Sequence, residues 1–208
     1  MTQENPHLAM SEDDYQALLE SLPTEQFMQV VMDDVHAAIM KGHHDLEAIK
    51  QAIDTLQTNP EAVDSDEVVR LLDELETLIE KSYMYQDVAL QVFDKRYKNG
   101  EPVIPVKTEI SVTEMDEGQY TAYLRQISND DFMKVVVHDV KKSVAIAHGY
   151  IALVKGDVVV LTDPDAEDDF ITIEGVIDFV QEIDEKILES NMFQNVARVV
   201  FAEHFSDE

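Results

Sequence analysis

The sequence predicts an all-α fold, a four-helix bundle made of two tandem helical hairpins that form an intramolecular pseudo-dimer. Three observations lead there. The chain repeats itself: YQALLESLPTEQFMQVVMDDV (Tyr15–Val35) returns 105 residues on as YTAYLRQISNDDFMKVVVHDV (Tyr120–Val140), and MYQDVALQVFDKRY (Met84–Tyr97) returns 108 residues on as MFQNVARVVFAEHF (Met192–Phe205). Apolar residues recur at steps of three and four, the period of one helix face. Turn-forming pairs, Asn59-Pro60 and Asp163-Pro164-Asp165, interrupt both copies at matching places.

The elements follow in order. A short helix is expected near Asp13–Ser21, then a long one opening at Pro23-Thr24-Glu25 and carrying the stripe Val31, Val35, Ile39, Gly42, Leu46, Ile49. After Asn59-Pro60 a returning helix carries Val68, Leu72, Leu75 and Ile79, continued by Val88, Val92 and Phe93. The segment Lys98–Gly118 holds Asn99-Gly100, Pro102 and Pro105 beside Val103, Ile104, Val106 and Ile110, the pattern of an extended linker. The second copy then repeats the plan. A short helix near Glu117–Gln126 precedes a long helix capped by Ser128-Asn129-Asp130, with the stripe Val136, Val140, Val144, Ala147, Ile151, Val154. Val158–Leu161 reads as either a short strand or a packed loop. A final helix carries Val176, Val180, Ile183, Ile187, Val196, Val200 and Phe201. The boundaries drawn are 11–98 for the first hairpin, 99–115 for the linker and 116–206 for the second. One amphipathic hairpin cannot bury its own stripe, whereas two facing hairpins can.

Composition narrows the function. Fifteen Lys and Arg stand against 44 Asp and Glu, a formal charge of −29, which repels phosphate backbones and anionic lipid. Nucleic acid and membrane are therefore not expected partners. The acids are interspersed with core residues rather than ordered along one face, unlike a mimic of DNA. At 45% the apolar content is ample for a core, no apolar run approaches the roughly 20 residues of a membrane span, and MTQENPHLAM lacks a signal pattern. Cysteine is absent, which removes disulfides, thiolate metal sites and a thiol nucleophile, and a cytoplasmic location is expected.

The chemistry-bearing segment is FMKVVVHDVKKSVAIAHGYIALVKG, Phe132–Gly156. His138 lies two residues from both Val136 and Val140, about 200° around the helix from each, so it is expected to face solvent. From spacing alone it is an exposed helix histidine beside Asp139. Phe132, His138, Asp139, Val140, Ile146, Gly149, Tyr150 and Leu153 nevertheless match a pattern. The segment resembles the phosphoacceptor helix of the dimerisation and histidine-phosphotransfer domain of sensor histidine kinases, a family whose bundle normally forms by pairing two identical chains. The resemblance implies that His138 accepts a phosphoryl group and that Asp139 receives its proton or orients its ring.

Departures from that family's pattern are specific. Lys142 and Ser143 stand where Thr or Asn and then Pro are common, and the first copy has Asp33 at the acceptor position. His36, three residues later, does not inherit the role. No glycine-rich lid is present, so ATP-dependent kinase activity is not expected, and at most a histidine phosphotransferase remains. No cofactor of its own is implied; Mg²⁺ would arrive only with a receiver-domain partner. The expected partners are a response-regulator receiver domain, a histidine kinase or both, with the chain a monomer or homodimer. The alternative is a non-catalytic docking protein that binds such partners and transfers nothing. Asp33, His36, His43, His44 and Glu47 are carboxylate and histidine residues on one helix, but the doubled Glu-x-x-His pattern of di-iron bundles is not repeated, and no metal is expected. His148 and His204 have no partner that the sequence identifies.

Overall fold

The structure, a computed structural model, describes residues 5–59, 64–97, 111–163 and 171–205. All regular elements among them are helical: α1 (Glu12–Ser21), α2 (Thr24–Thr58), α3 (Ser65–Tyr97), α4 (Glu117–Leu124), α5 (Asn129–Thr162) and α6 (Ile173–Phe205), with 3-10 turns at Pro6–Ala9 and Val112–Glu114. Most of the expected linker, from Lys98 to Ile110, lies outside the described residues, as do Pro60, Pro164 and Asp165.

Helix starts are set by local chemistry. Ser11 and Ser128 accept hydrogen bonds from the main-chain N–H of Asp14 and Asp131, and Asp116 forms a reciprocal capping box with Gln119. Each of these caps satisfies donors that the first turn leaves orphaned. In register, Ser11 matches Asp116 and the 3-10 turn at Pro6–Ala9 matches that at Val112–Glu114, so the duplication reaches further toward the N-terminus than residue 11.

The four long helices share one core. Helix α2 packs along α3 and α5 along α6, while α2 also meets α6 and α3 meets α5; α1 lies on α3, and α4 on α6. The stripe residues are sealed in pairs: Val31 and Val136 are each 2% exposed, Leu46 and Ile151 each 0%. Fully burying one such side chain contributes about 1.5–3 kcal/mol, so the stripes outweigh intrinsic propensity in helices of this length. At Gly42 a Cβ atom would come 2.7 Å from Leu75 Cδ1, so the missing side chain lets α2 and α3 approach. The second copy answers with Ala147 against Ile183, both 0% exposed.

Two expectations are corrected. Val158–Leu161 is neither strand nor loop but the last turn of α5, because Val158 extends the Val154 stripe by four residues and is fully buried. Burial on a helix face overrides β-branched propensity there. The apolar surface of α5 is also broader at its start than one stripe. Every residue from Phe132 to Val137 is buried; the Val112–Glu114 turn also packs against α5, and Lys134 pairs with Asp94 of α3. By length and composition alone Asp131–Thr162 is long and apolar enough to cross a membrane, with a mean hydropathy of 1.7 in its most apolar stretch, a property that helices packed in a protein core share.

Ion pairs tie the two halves together at mirrored positions. From α2, His43 Nε2 lies 3.1 Å and Lys50 Nζ 2.6 Å from the Asp184 carboxylate of α6. From α5, His148 Nε2 lies 2.9 Å from Glu76 of α3, and Lys155 Nζ bonds the same carboxylate. His43 matches His148, Lys50 matches Lys155 and Glu76 matches Asp184 in the repeat. His148 therefore has a partner, one invisible to the sequence because 72 residues separate the pair. His36 bonds Asn191 at 2.8 Å.

Candidate functional site

His138 is the only exposed residue between Phe132 and Val140. Its side chain is 67% exposed, as the two-residue offset from the stripe predicts, and its Nδ1 lies 3.1 Å from Asp139 Oδ1. Asp139 itself is 4% exposed. The Tyr120 hydroxyl, on α4, reaches the other carboxylate oxygen at 3.3 Å. Burial pushes the Asp139 carboxyl above the usual carboxylate range, against the pull of hydrogen bonds from His138 and Tyr120 and of the nearby Lys142. Tyr120 is likewise raised, by burial first and then by the adjoining carboxylate. With Asp139 accepting, Nδ1 carries the imidazole proton and Nε2 presents a lone pair to solvent.

An open groove adjoins the imidazole, lined by Tyr83, Asp87, Lys141, Lys142 and Ala145. Lys141 is held by Asp87 at 2.6 Å and lies over the Tyr83 ring, whereas Lys142 is exposed. Lys141 and Lys142 offset Asp87 and Asp139 here, so this face lacks the acidic excess of a chain with a charge of −29.

The mirrored position in the first copy is built from the same parts, arranged differently. Asp34, the counterpart of Asp139, is 2% exposed and also faces a tyrosine, Tyr15, whose hydroxyl is raised by burial first and then by Asp34. Its histidine comes from elsewhere. His7, in the first 3-10 turn, places Nδ1 2.9 Å from Asp34, with Asn5 Nδ2 at 2.6 Å. Val112 occupies the position of His7 in the second copy, so there the acid takes its histidine from position 138. Asp33, the counterpart of His138, is half-exposed and engaged by Arg198 Nη2 at 2.5 Å and Gln29 Nε2 at 2.8 Å.

The buried acids, their tyrosines and His7 were not singled out by periodicity. The signal lay in the repeat: Tyr15 with Tyr120 and Asp34 with Asp139 recur in register although neither type is needed for an apolar stripe. Gln86 and Gln194 carry the same signature. Both are 2% exposed beside a small cavity between Val31, Val35, Val136 and Val140. Gln86 Oε1 and both amide atoms of Gln194 have no hydrogen-bond partner among the described residues.

Comparison with protein-family profiles, with curated proteins and with solved structures finds no match for this chain.

Proposed function

We propose that this chain is a phosphotransfer protein of a two-component pathway, passing a phosphoryl group through His138 to or from the receiver domain of a response regulator. The observation that carries the reading is the dyad: an exposed imidazole whose inner nitrogen is tied to a buried carboxylate. The Nε2 lone pair attacks the phosphorus of an aspartyl phosphate on the partner. The phosphorus–oxygen bond to that aspartate breaks and its carboxylate leaves. The Nδ1 proton is then shared with, or passed to, Asp139, whose raised proton affinity suits it to receive it. Metal and transition-state charge stabilisation come with the partner, since phosphoryl transfer asks mainly for positioning.

In this reading the two halves form a four-helix bundle, an intramolecular counterpart of the two-chain bundle of histidine kinases. The mirrored burial of the stripes and the matched ion pairs support that arrangement. The protein acts in the cytoplasm with a receiver domain or a histidine kinase as partner, and without nucleic acid, membrane or a resident cofactor.

A second reading is favoured by one observation. The first copy also pairs a buried acid, Asp34, with a histidine, His7, where no acceptor histidine adjoins it, so an acid–histidine contact also serves packing. On that reading the chain is a docking module that binds such partners without transfer. The deciding experiment is incubation with a phosphorylated receiver domain, followed by detection of acid-labile phosphate on this chain. Label on the wild type that is lost in His138→Gln supports transfer. Stable complex formation without label supports docking.

A further inference from the structure

We propose that His43, Glu47 and Asp184 form a binding site for one divalent first-row transition-metal ion, of the Zn²⁺ class, bridging α2 of the first hairpin and α6 of the second. The three offer one ligand atom each, and these atoms all lie within 4.8 Å of one another. His43 and Glu47 are four residues apart on α2, hence on one face, and Asp184 meets them from α6. One imidazole and two carboxylates are a donor set suited to Zn²⁺ and its neighbours, with water completing the shell.

What distinguishes this cluster from the other cross-helix ion pairs is a third ligand atom, on Glu47, within reach of the first two. Nε2 and Oδ1 are 3.1 Å apart, yet Oδ1 is buried and has no aligned hydrogen-bond donor. Two ligands held about 2.0–2.2 Å from one ion at roughly 90–110° are themselves about 3 Å apart, so the observed separation is one that a shared ion accepts without rearrangement. Lys50 currently neutralises the carboxylates, at 2.6 Å from Asp184 and 3.0 Å from Glu47. Its flexible stem has somewhere to go, since an open cleft bounded by Asp54, Gln181 and Glu185 lies beside it. Metal and ammonium therefore compete for one anionic pocket.

The repeat supplies an internal control. The mirrored cluster keeps the histidine, the lysine and the cross-helix acid as His148, Lys155 and Glu76, but Ala152 stands where Glu47 does. Asp73 also pairs with Lys155 there, at 2.6 Å, but among the described residues no third ligand atom meets His148 and Glu76 as Glu47 meets His43 and Asp184. One site per chain is expected, not two.

Calorimetric titration of the full chain with ZnCl₂ in chelator-free buffer tests this, with circular dichroism confirming the fold of each variant. The expected result is one saturable ion per chain. His43→Ala and the exposed Glu47→Gln each weaken binding about tenfold or more, His148→Ala leaves it unchanged, and Lys50→Met tightens it several-fold. A stoichiometry that does not saturate at one would overturn the proposal. So would His43→Ala or Glu47→Gln binding like the wild type, because the ion would then be held diffusely by the acidic surface. The outcome is independent of whether His138 carries phosphate.

Discussion

Asp139 sits at the junction of packing and chemistry, and its proton affinity makes a signed prediction. Burial raises the folded-state pKa above the value near ~3.9 of an unfolded aspartate. The folded chain then binds the proton more tightly than the unfolded one, so Asp139's contribution to stability is full below the unfolded pKa and is lost as pH rises through the folded one. Asp139→Asn, which removes the charge and keeps an acceptor for His138, should unfold at a higher temperature than the wild type at pH 7. The difference should close as pH falls toward ~4. Thermal melts across pH 4–8 check it, and a variant less stable at pH 7 would show that the charged carboxylate is a net stabiliser. Gln86 and Gln194 test a different cost. Gln194 has neither amide atom partnered and Gln86 only its Nε2, which donates to the Ser82 carbonyl; unpartnered buried polar atoms lose about 1–3 kcal/mol of solvation, so the double variant Gln86→Met, Gln194→Met should gain stability of that order in urea unfolding. A loss would mean that the two amides are satisfied in solution.

Among the helices, α5 shows what a sequence yields and what it withholds. Its stripe was legible because a period of 3.6 residues encodes one buried face directly. Its buried first turns were not, because Val135, Val137 and Asp139 are buried by packing from other parts of the chain, and periodicity within one helix carries no information about a neighbour. His138 was placed correctly for the same reason that its neighbours were missed: exposure followed from the stripe, and burial of the residues around it did not. Gly149 and Gly156 lie on the outer face of α5, and a Cβ at either would meet nothing within 4 Å. Glycine inside a helix is worth about 0.8–1.0 kcal/mol less than alanine. Gly149→Ala and Gly156→Ala should each stabilise the chain by roughly that amount in denaturant titrations. If instead they weaken binding of a partner while stabilising the free chain, that face is where the partner's backbone comes close.

The whole molecule carries its charge unevenly between surface and core. A formal −29 on 208 residues repels itself, and salt within the physiological range and above screens such repulsion over about 3–8 Å. The melting temperature should therefore climb with added KCl, each ~1 kcal/mol recovered appearing as about 2–4 °C for a chain of this size. An unchanged or falling midpoint between 0.05 and 1 M salt would show that the cross-helix ion pairs, weakened by the same screening, dominate instead. Those pairs also mark the limit of sequence reading at this scale. The repeat predicted that the halves correspond, but the juxtaposition of His43 with Asp184 and of His148 with Glu76 emerges only when α2 meets α6 and α5 meets α3.

The two buried acids have a consequence for valence. A bundle assembled from two identical chains offers two equivalent faces, and whatever recognises one can occupy both, with avidity or mutual exclusion between them. Here the first copy draws its histidine inward from the 3-10 turn and ties Asp33 to Arg198, while the second leaves His138 at the surface. If the proposed function holds, each chain offers a partner one His138 face, and titration of a monomeric chain follows a single-site isotherm without cooperativity between halves.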